Sequence, residues 1–91
     1  MPDKVHCAHI LVKTEHEART VLERLNKGEK FSNIAKEVSQ CPSGKNGGDL
    51  GTFTRGKMVK EFETASFALQ KGQISPPVKT KFGYHVIKRL E

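Results

Sequence analysis

The chain has no tryptophan, one tyrosine and only two cysteines among its 91 residues. Two thiols, Cys7 and Cys41, are too few to staple a disulfide scaffold; they stay reduced in a reducing compartment and could pair with each other in an oxidising one. No apolar run comes near the ~20 residues of a membrane-spanning helix. Met1-Pro2-Asp3-Lys4 leads directly into strand-like sequence, so no secretory leader is expected and a cytoplasmic location is the default expectation. The glycine-rich stretch Cys41–Gly48 lacks both the G-x-x-x-x-G-K-[ST] and the G-x-G-x-x-G orders, which argues against a nucleotide cradle. Acidic residues are scarce as well: ten Asp and Glu stand against sixteen Lys and Arg, for a net charge of +6. Between Thr64 and Leu90 there are five basic residues and no acidic one. Such an excess either keeps a small domain in solution or draws it to an anionic surface. No aromatic residues are interleaved with the lysines to stack on bases, so lipid or protein surfaces come before nucleic acid, which is not expected as a partner.

What is present reads as one domain over residues 1–91, near the lower size limit for folding on a single core. Ala8-His9-Ile10-Leu11-Val12-Lys13 and Tyr84-His85-Val86-Ile87-Lys88 are strand-like, each with a histidine near its start. Strand one runs from about Val5 to Lys13. Thr14 then caps a helix, with Glu17 completing a capping box, Ala18, Val21, Leu22 and Leu25 at helical spacing, and Gly28 as the stop. A second helix starts near Ser32, with Phe31, Ile34, Ala35 and Val38 as its apolar face. Gln40–Gly48 reads as loop and Asp49–Thr54 as a short strand. A third helix is expected over roughly Val59–Gln70, with Met58, Phe62, Ala65 and Leu69 on one stripe. Val78-Lys79 reads as a short edge strand and Tyr84–Leu90 as the last strand. The order β-α-α-loop-β-α-β-β implies an α+β fold with a small, largely antiparallel sheet.

From the residues alone, a half-buried histidine in a strand is either a satisfied core group or a catalyst. The segments Ala8-His9-Ile10-Leu11-Val12-Lys13, Gly47-Gly48-Asp49-Leu50-Gly51, Gly56-Lys57-Met58 followed by Phe62, and Phe82-Gly83-Tyr84-His85-Val86-Ile87 together resemble the parvulin family of peptidyl-prolyl cis/trans isomerases. The resemblance extends from about Val5 to Leu90. It implies an α+β fold, a four-stranded antiparallel sheet surrounded by four helices, one of them a short turn in the loop after Cys41. It implies that His9 and His85 are the paired histidines beneath the active site, joined by the hydroxyl of Thr80. Leu50, Met58 and Phe62 match the walls of the proline pocket and Phe82 its rim. Cys41 matches a position filled by Cys or Asp in the family. No metal or cofactor is implied, and the partners are proline-containing polypeptides.

These residue types suit the reaction. Twisting an amide costs ~18–20 kcal/mol, so a catalyst must hold the twisted X-Pro bond better than either planar form. Apolar walls grip the saturated ring and strip water from a carbonyl whose charge separation is largest when planar. Cys41 is either a nucleophile toward that carbonyl or a polar group beside it; the acceptance of Asp at the matching position favours the second. No proton moves in the rotation, so the histidines read as the frame of the pocket. The basic insertion that some parvulins carry between strand one and the first helix, for phosphoserine- or phosphothreonine-proline, is missing here, since Thr14 follows Lys13 at once. A non-phosphorylated preference is therefore expected.

Two other readings stand beside the enzyme. Zinc held by Cys7, His9, Cys41 and His85 lacks the closely spaced ligand pairs typical of such sites. A binding-only chaperone would grip prolyl segments with the same pocket and no rate acceleration. In addition, Lys71, Lys79, Lys81, Lys88 and Arg89, or Lys4, Lys27, Lys30 and Lys36, could dock the domain peripherally on anionic lipid. A monomer is expected.

Overall fold

The computed structural model describes residues 4–91. The elements run β1 (Lys4–Val12), α1 (Glu15–Asn26), α2 (Phe31–Val38), a 3₁₀ turn (Pro42–Asn46), β2 (Asp49–Thr54), α3 (Lys60–Ala68), β3 (Val78–Thr80) and β4 (Gly83–Arg89). The four strands form one antiparallel sheet in the order β2-β1-β4-β3, so the first and last strands are its centre. Met1, Pro2 and Asp3, on which the expectation of no leader rests, lie outside the described residues.

Alternation along the central strands sorts side chains onto two buried faces. Ala8, Ile10, Val12 and Val86 face α1 and α2, where they pack with Ala18, Val21, Phe31, Ile34 and Ala35. Val5, Cys7 and Ile87 face α3, where Phe53, Phe62 and Leu69 join them. Burial of each of the large side chains, such as Ile10, Ile34 and Ile87, stabilises the fold by about 1.5–3 kcal/mol. Because both faces are covered, β1 and β4 read as near-continuous apolar runs. The Cys7 thiol is pushed up to about 11 by this burial, the nearby Arg89 opposing it, and so stays protonated at neutral pH.

Local signals explain most boundaries. Thr14 caps α1 through its hydroxyl, which accepts the Glu17 N–H at 3.1 Å and donates to the Glu17 carboxylate at 3.0 Å. Other boundaries differ from the sequence expectation. His9 is the sixth of nine residues of β1, because pairing with β2 carries the strand back to Lys4. The segment after Cys41 is not all loop: Pro42 supplies a pre-set φ for a 3₁₀ turn, which ends at Gly47 in the left-handed region. The three α-helices and this turn make up the four helical elements that the resemblance implied. α3 is shorter than Val59–Gln70. Val59 and Leu69 both have extended backbones, leaving Met58 and Leu69 outside the helix, although they pack with Phe62 and Ala65 as the stripe suggested.

The two ends of the sheet's central pair meet. The Leu90 and Glu91 N–H groups both donate to the His6 carbonyl, at 2.6 and 3.1 Å, which locks the end of the chain against the start of β1.

Candidate functional site

His9 sits opposite Ile87, and His85 opposite Leu11, in the β1–β4 ladder. The two histidines are therefore diagonal neighbours on the face that α3 covers. Their Nδ1 atoms lie 2.9 Å apart in a hydrogen bond, with rings stacked 5.1 Å between centroids. His85 Nε2 bonds the Thr80 hydroxyl at 2.7 Å, and that oxygen also accepts the Phe82 N–H at 3.1 Å. β3 and its turn are thus tied to the centre of the sheet through one imidazole. Phe62 from α3 stands edge-on to both rings, at 5.4 Å from His9 and 5.2 Å from His85.

Burial decides the ionisation of this pair. It pushes His9 down to about 4, with repulsion from His85 a smaller contribution in the same direction. His85 is lowered by burial too. Both rings are neutral at pH 7, and each donates through one nitrogen only. His9 Nε2 is left buried without a hydrogen-bond partner among the described residues. A neutral ring limits that cost, because a protonated one would bury a charge as well.

This sets a pH dependence of stability. In the unfolded chain an imidazole ionises near 6.5, while His9 in the fold does so only at about 4. Between those values the unfolded state takes up a proton that the folded state refuses, so stability falls as pH drops through the window and is fully present above it. The size is about 3 kcal/mol for His9, with His85 acting in the same direction. Urea unfolding midpoints at about pH 7.5 and about pH 4.5 measure it; equal midpoints contradict the neutral pair.

Above the histidines is an open cleft of about 490 Å³. Leu50, Met58, Phe62 and Phe82 line it, Cys41 stands at its edge, and His9 and His85 lie at its base. Thr80 does not line the cleft and reaches it only through His85. The sequence reading missed Leu11, Gln40, Pro42, Lys57 and Val59 in the lining. Leu11 was readable, two residues beyond His9 on the same face of β1, and Lys57 and Val59 flank Met58.

Backbone contacts fix these side chains. The Gln40 N–H donates to the Leu11 carbonyl at 2.7 Å, and the Ser39 hydroxyl oxygen accepts from the Leu11 and Cys41 N–H groups at 3.1 and 3.4 Å. The Ser43 hydroxyl donates to Cys41 Sγ at 3.2 Å. His9 donates its N–H to the Gly48 carbonyl at 2.9 Å; Gly48 has φ +85°, and a Cβ there would run into the His9 carbonyl oxygen. Next to it, Asp49 Oδ1 bonds His6 Nε2 and accepts the Gly51 N–H, both at 2.7 Å, which clasps the turn carrying Leu50. The Gly51 N–H and, secondly, His6 hold the Asp49 carboxyl below the ordinary carboxylate range.

The structure thus brings His9 and His85 together beneath a cleft lined by Leu50, Met58, Phe62 and Phe82. The rotamase family model, a PPIC-type PPIase domain, matches residues 9–91. The chain belongs to the PPIC-type peptidyl-prolyl isomerase family. Among similar proteins, foldase protein PrsA of Geobacillus kaustophilus is 58% identical over 86 residues, which cover 93% of this chain and 31% of that protein. The chain thus spans about a third of the length of the curated relatives it matches. Several solved structures match over nearly their whole length. Pin from the psychrophilic archaeon Cenarcheaum symbiosum is 60% identical with a TM-score of 0.87, covering 100% of this chain and 95% of that one. NmPin, the parvuline of Nitrosopumilus maritimus, is 50% identical with a TM-score of 0.90, covering 100% and 99%. The PPIase domain therefore has the parvulin fold, with its four-stranded antiparallel sheet.

Among the described residues no three of His, Cys, Asp and Glu converge as a metal site; His9 Nδ1 and His85 Nδ1 bond each other and His85 Nε2 bonds Thr80. No helix among them is long and apolar enough to cross a membrane.

Proposed function

We propose that the cleft binds the proline of an X-Pro segment and accelerates cis/trans rotation of its peptide bond, assisting the folding of proteins that carry such bonds. The observation that carries this reading is the apolar cleft of Leu50, Met58, Phe62 and Phe82 set directly over a neutral histidine pair. The ring seats against Met58 and Phe62, whose adaptable thioether and aromatic face suit proline C–H groups. Water is excluded from the preceding carbonyl, which favours the twisted geometry over the planar ones. His9, His85 and Thr80 hold the floor and transfer no proton. They couple the base of the pocket to the β3–β4 turn that carries Phe82.

Cys41 acts beside the rotating carbonyl as a polar group. Cys41→Asp is expected to keep more than about a tenth of wild-type kcat/KM, since a carboxylate also places electron-rich acceptor atoms beside the carbonyl. A folded variant as inactive as a pocket mutant would establish a nucleophilic thiol instead.

Protease-coupled isomerisation of Leu-Pro and phosphoserine-Pro peptides tests the function and its preference together. Turnover of the Leu-Pro peptide without a large gain on the phosphorylated one is expected. No turnover of either, with binding retained, would make the domain a prolyl-binding chaperone module.

The same proposal takes the domain to act as a cytoplasmic monomer; two cysteines are too few for the disulfide scaffold of a small secreted domain. Peripheral docking on anionic lipid falls to the exposed Lys4, Lys27, Lys30 and Lys36. In the other lysine group Lys71 engages Glu91 at 3.3 Å, and Lys81 lies over the Phe82 ring.

A further inference from the structure

The proline cleft does not end at Cys41. A second cavity of about 380 Å³ continues from it, and the two share Gln40, Cys41 and Pro42 as lining. Lys36, from the last turn of α2, and Lys45, from the 3₁₀ turn, line this extension, and no carboxylate does. Among the described residues neither lysine forms an ion pair. Glu37, next to Lys36 in sequence, is turned to Arg24 of α1 at 2.9 Å. Two lysines without ion pairs therefore line a concave surface that shares Gln40, Cys41 and Pro42 with the cleft assigned to the substrate proline.

The extension is also built on fixed backbone. Ser39, Gln40 and Cys41, which join the two cavities, are held to the end of β1 by the hydrogen bonds of Leu11 described above. Gly44 is buried so tightly that a Cβ there would lie 2.8 Å from the Ala35 carbonyl oxygen. The 3₁₀ turn is thereby seated directly on α2, and the Cα positions of Lys36 and Lys45 are set relative to Cys41. An extended peptide advances ~3.3 Å per residue, so a residue within a few positions of a bound proline has the reach to enter this extension.

We propose that the cavity beyond Cys41 is a subsite for an acidic side chain of the substrate, within a few residues of the proline. This rests on the isomerase reading of the cleft and adds to it a sequence preference set by Lys36 and Lys45. Both lysines are solvent-exposed, so the gain is modest and electrostatic. A Glu or Asp side chain is attracted, and a Lys at the same position is repelled.

The test is a peptide series of alanines around one Ala-Pro bond, with Glu and then Lys placed at each of the positions flanking the proline in turn. Turnover is measured with wild type and with Lys36→Glu/Lys45→Glu, and binding is followed by the amide shifts of residues 36–45. Turnover of the all-alanine peptide, equal in both proteins, reads the isomerase function alone. At one position Glu is expected to raise wild-type kcat/KM about three- to tenfold over Ala, a gain that fades at about 0.5 M salt. In the charge-reversed variant the preference at that position passes to Lys, whereas Lys57→Glu, at the other cation of the cleft, leaves the Glu gain in place. A flat Glu scan, or a Glu gain that survives in Lys36→Glu/Lys45→Glu, overturns the subsite. Loss of turnover on every peptide overturns the isomerase reading, while the amide shifts with the Glu and Lys peptides still decide the subsite.

Discussion

Met58→Ala lowers kcat/KM on a Leu-Pro peptide by about 10- to 200-fold while the protein remains folded. The thioether lines the cleft beside Phe62 but belongs to the loop before α3, and it is only half-buried. A fully buried methionine truncated to alanine costs ~2–5 kcal/mol, and a half-exposed one in a loop loses about half of that. The fold tolerates such a loss within a typical stability of about 5–15 kcal/mol. The reaction does not, because losing part of an apolar pocket wall that is half open to solvent costs about 1–3 kcal/mol of discrimination for the ring it holds. Kinetics on one peptide, with circular dichroism as the control for folding, measures both. A loss under about threefold would remove Met58 from the pocket and the ring with it.

His9→Ala has the opposite balance: the expected result is a stability loss of about 3–5 kcal/mol, as for truncation of a buried aromatic ring. The ring is 5% exposed, stacks on His85 and takes the edge contact of Phe62. Its removal also leaves His85 Nδ1 buried without a partner, an added penalty of ~1–3 kcal/mol if water does not reach it. Activity falls because the floor under Phe62 loosens. Urea unfolding beside peptide kinetics separates the two effects. Full stability with activity abolished would return His9 to acid–base chemistry.

Much of this site was legible in the sequence because it depends on short-range rules. The Val, Ile and Leu content around them put His9 and His85 in strands, and Thr14 and Glu17 announced α1. What the residues alone could not supply was pairing. Nothing local fixes β1 and β4 as neighbours, with Leu11 opposite His85; that is a contact between positions 74 residues apart, which the matched histidine strands suggested and the resemblance implied. The 3₁₀ turn was read as loop because its geometry comes from the seat of Gly44 on Ala35, a tertiary contact invisible in a run of turn formers. The end of α3 was misplaced because helix propensity continues through Leu69 and Gln70, whereas packing of Leu69 under the sheet stops the helix at Ala68. Gln40, Pro42 and Lys57 entered the cleft by loop placement, which leaves no periodic trace.

The clasp between His6 and the Leu90–Glu91 backbone has an architectural consequence. A chain entering at β1 and leaving after β4 does so at one point on the surface, so the module acts as a bead on a thread. It can be spliced into a loop of a host polypeptide without prying that host's own core apart. Matches that cover 31% of one relative and 99% of another are what a self-closed unit of this kind allows.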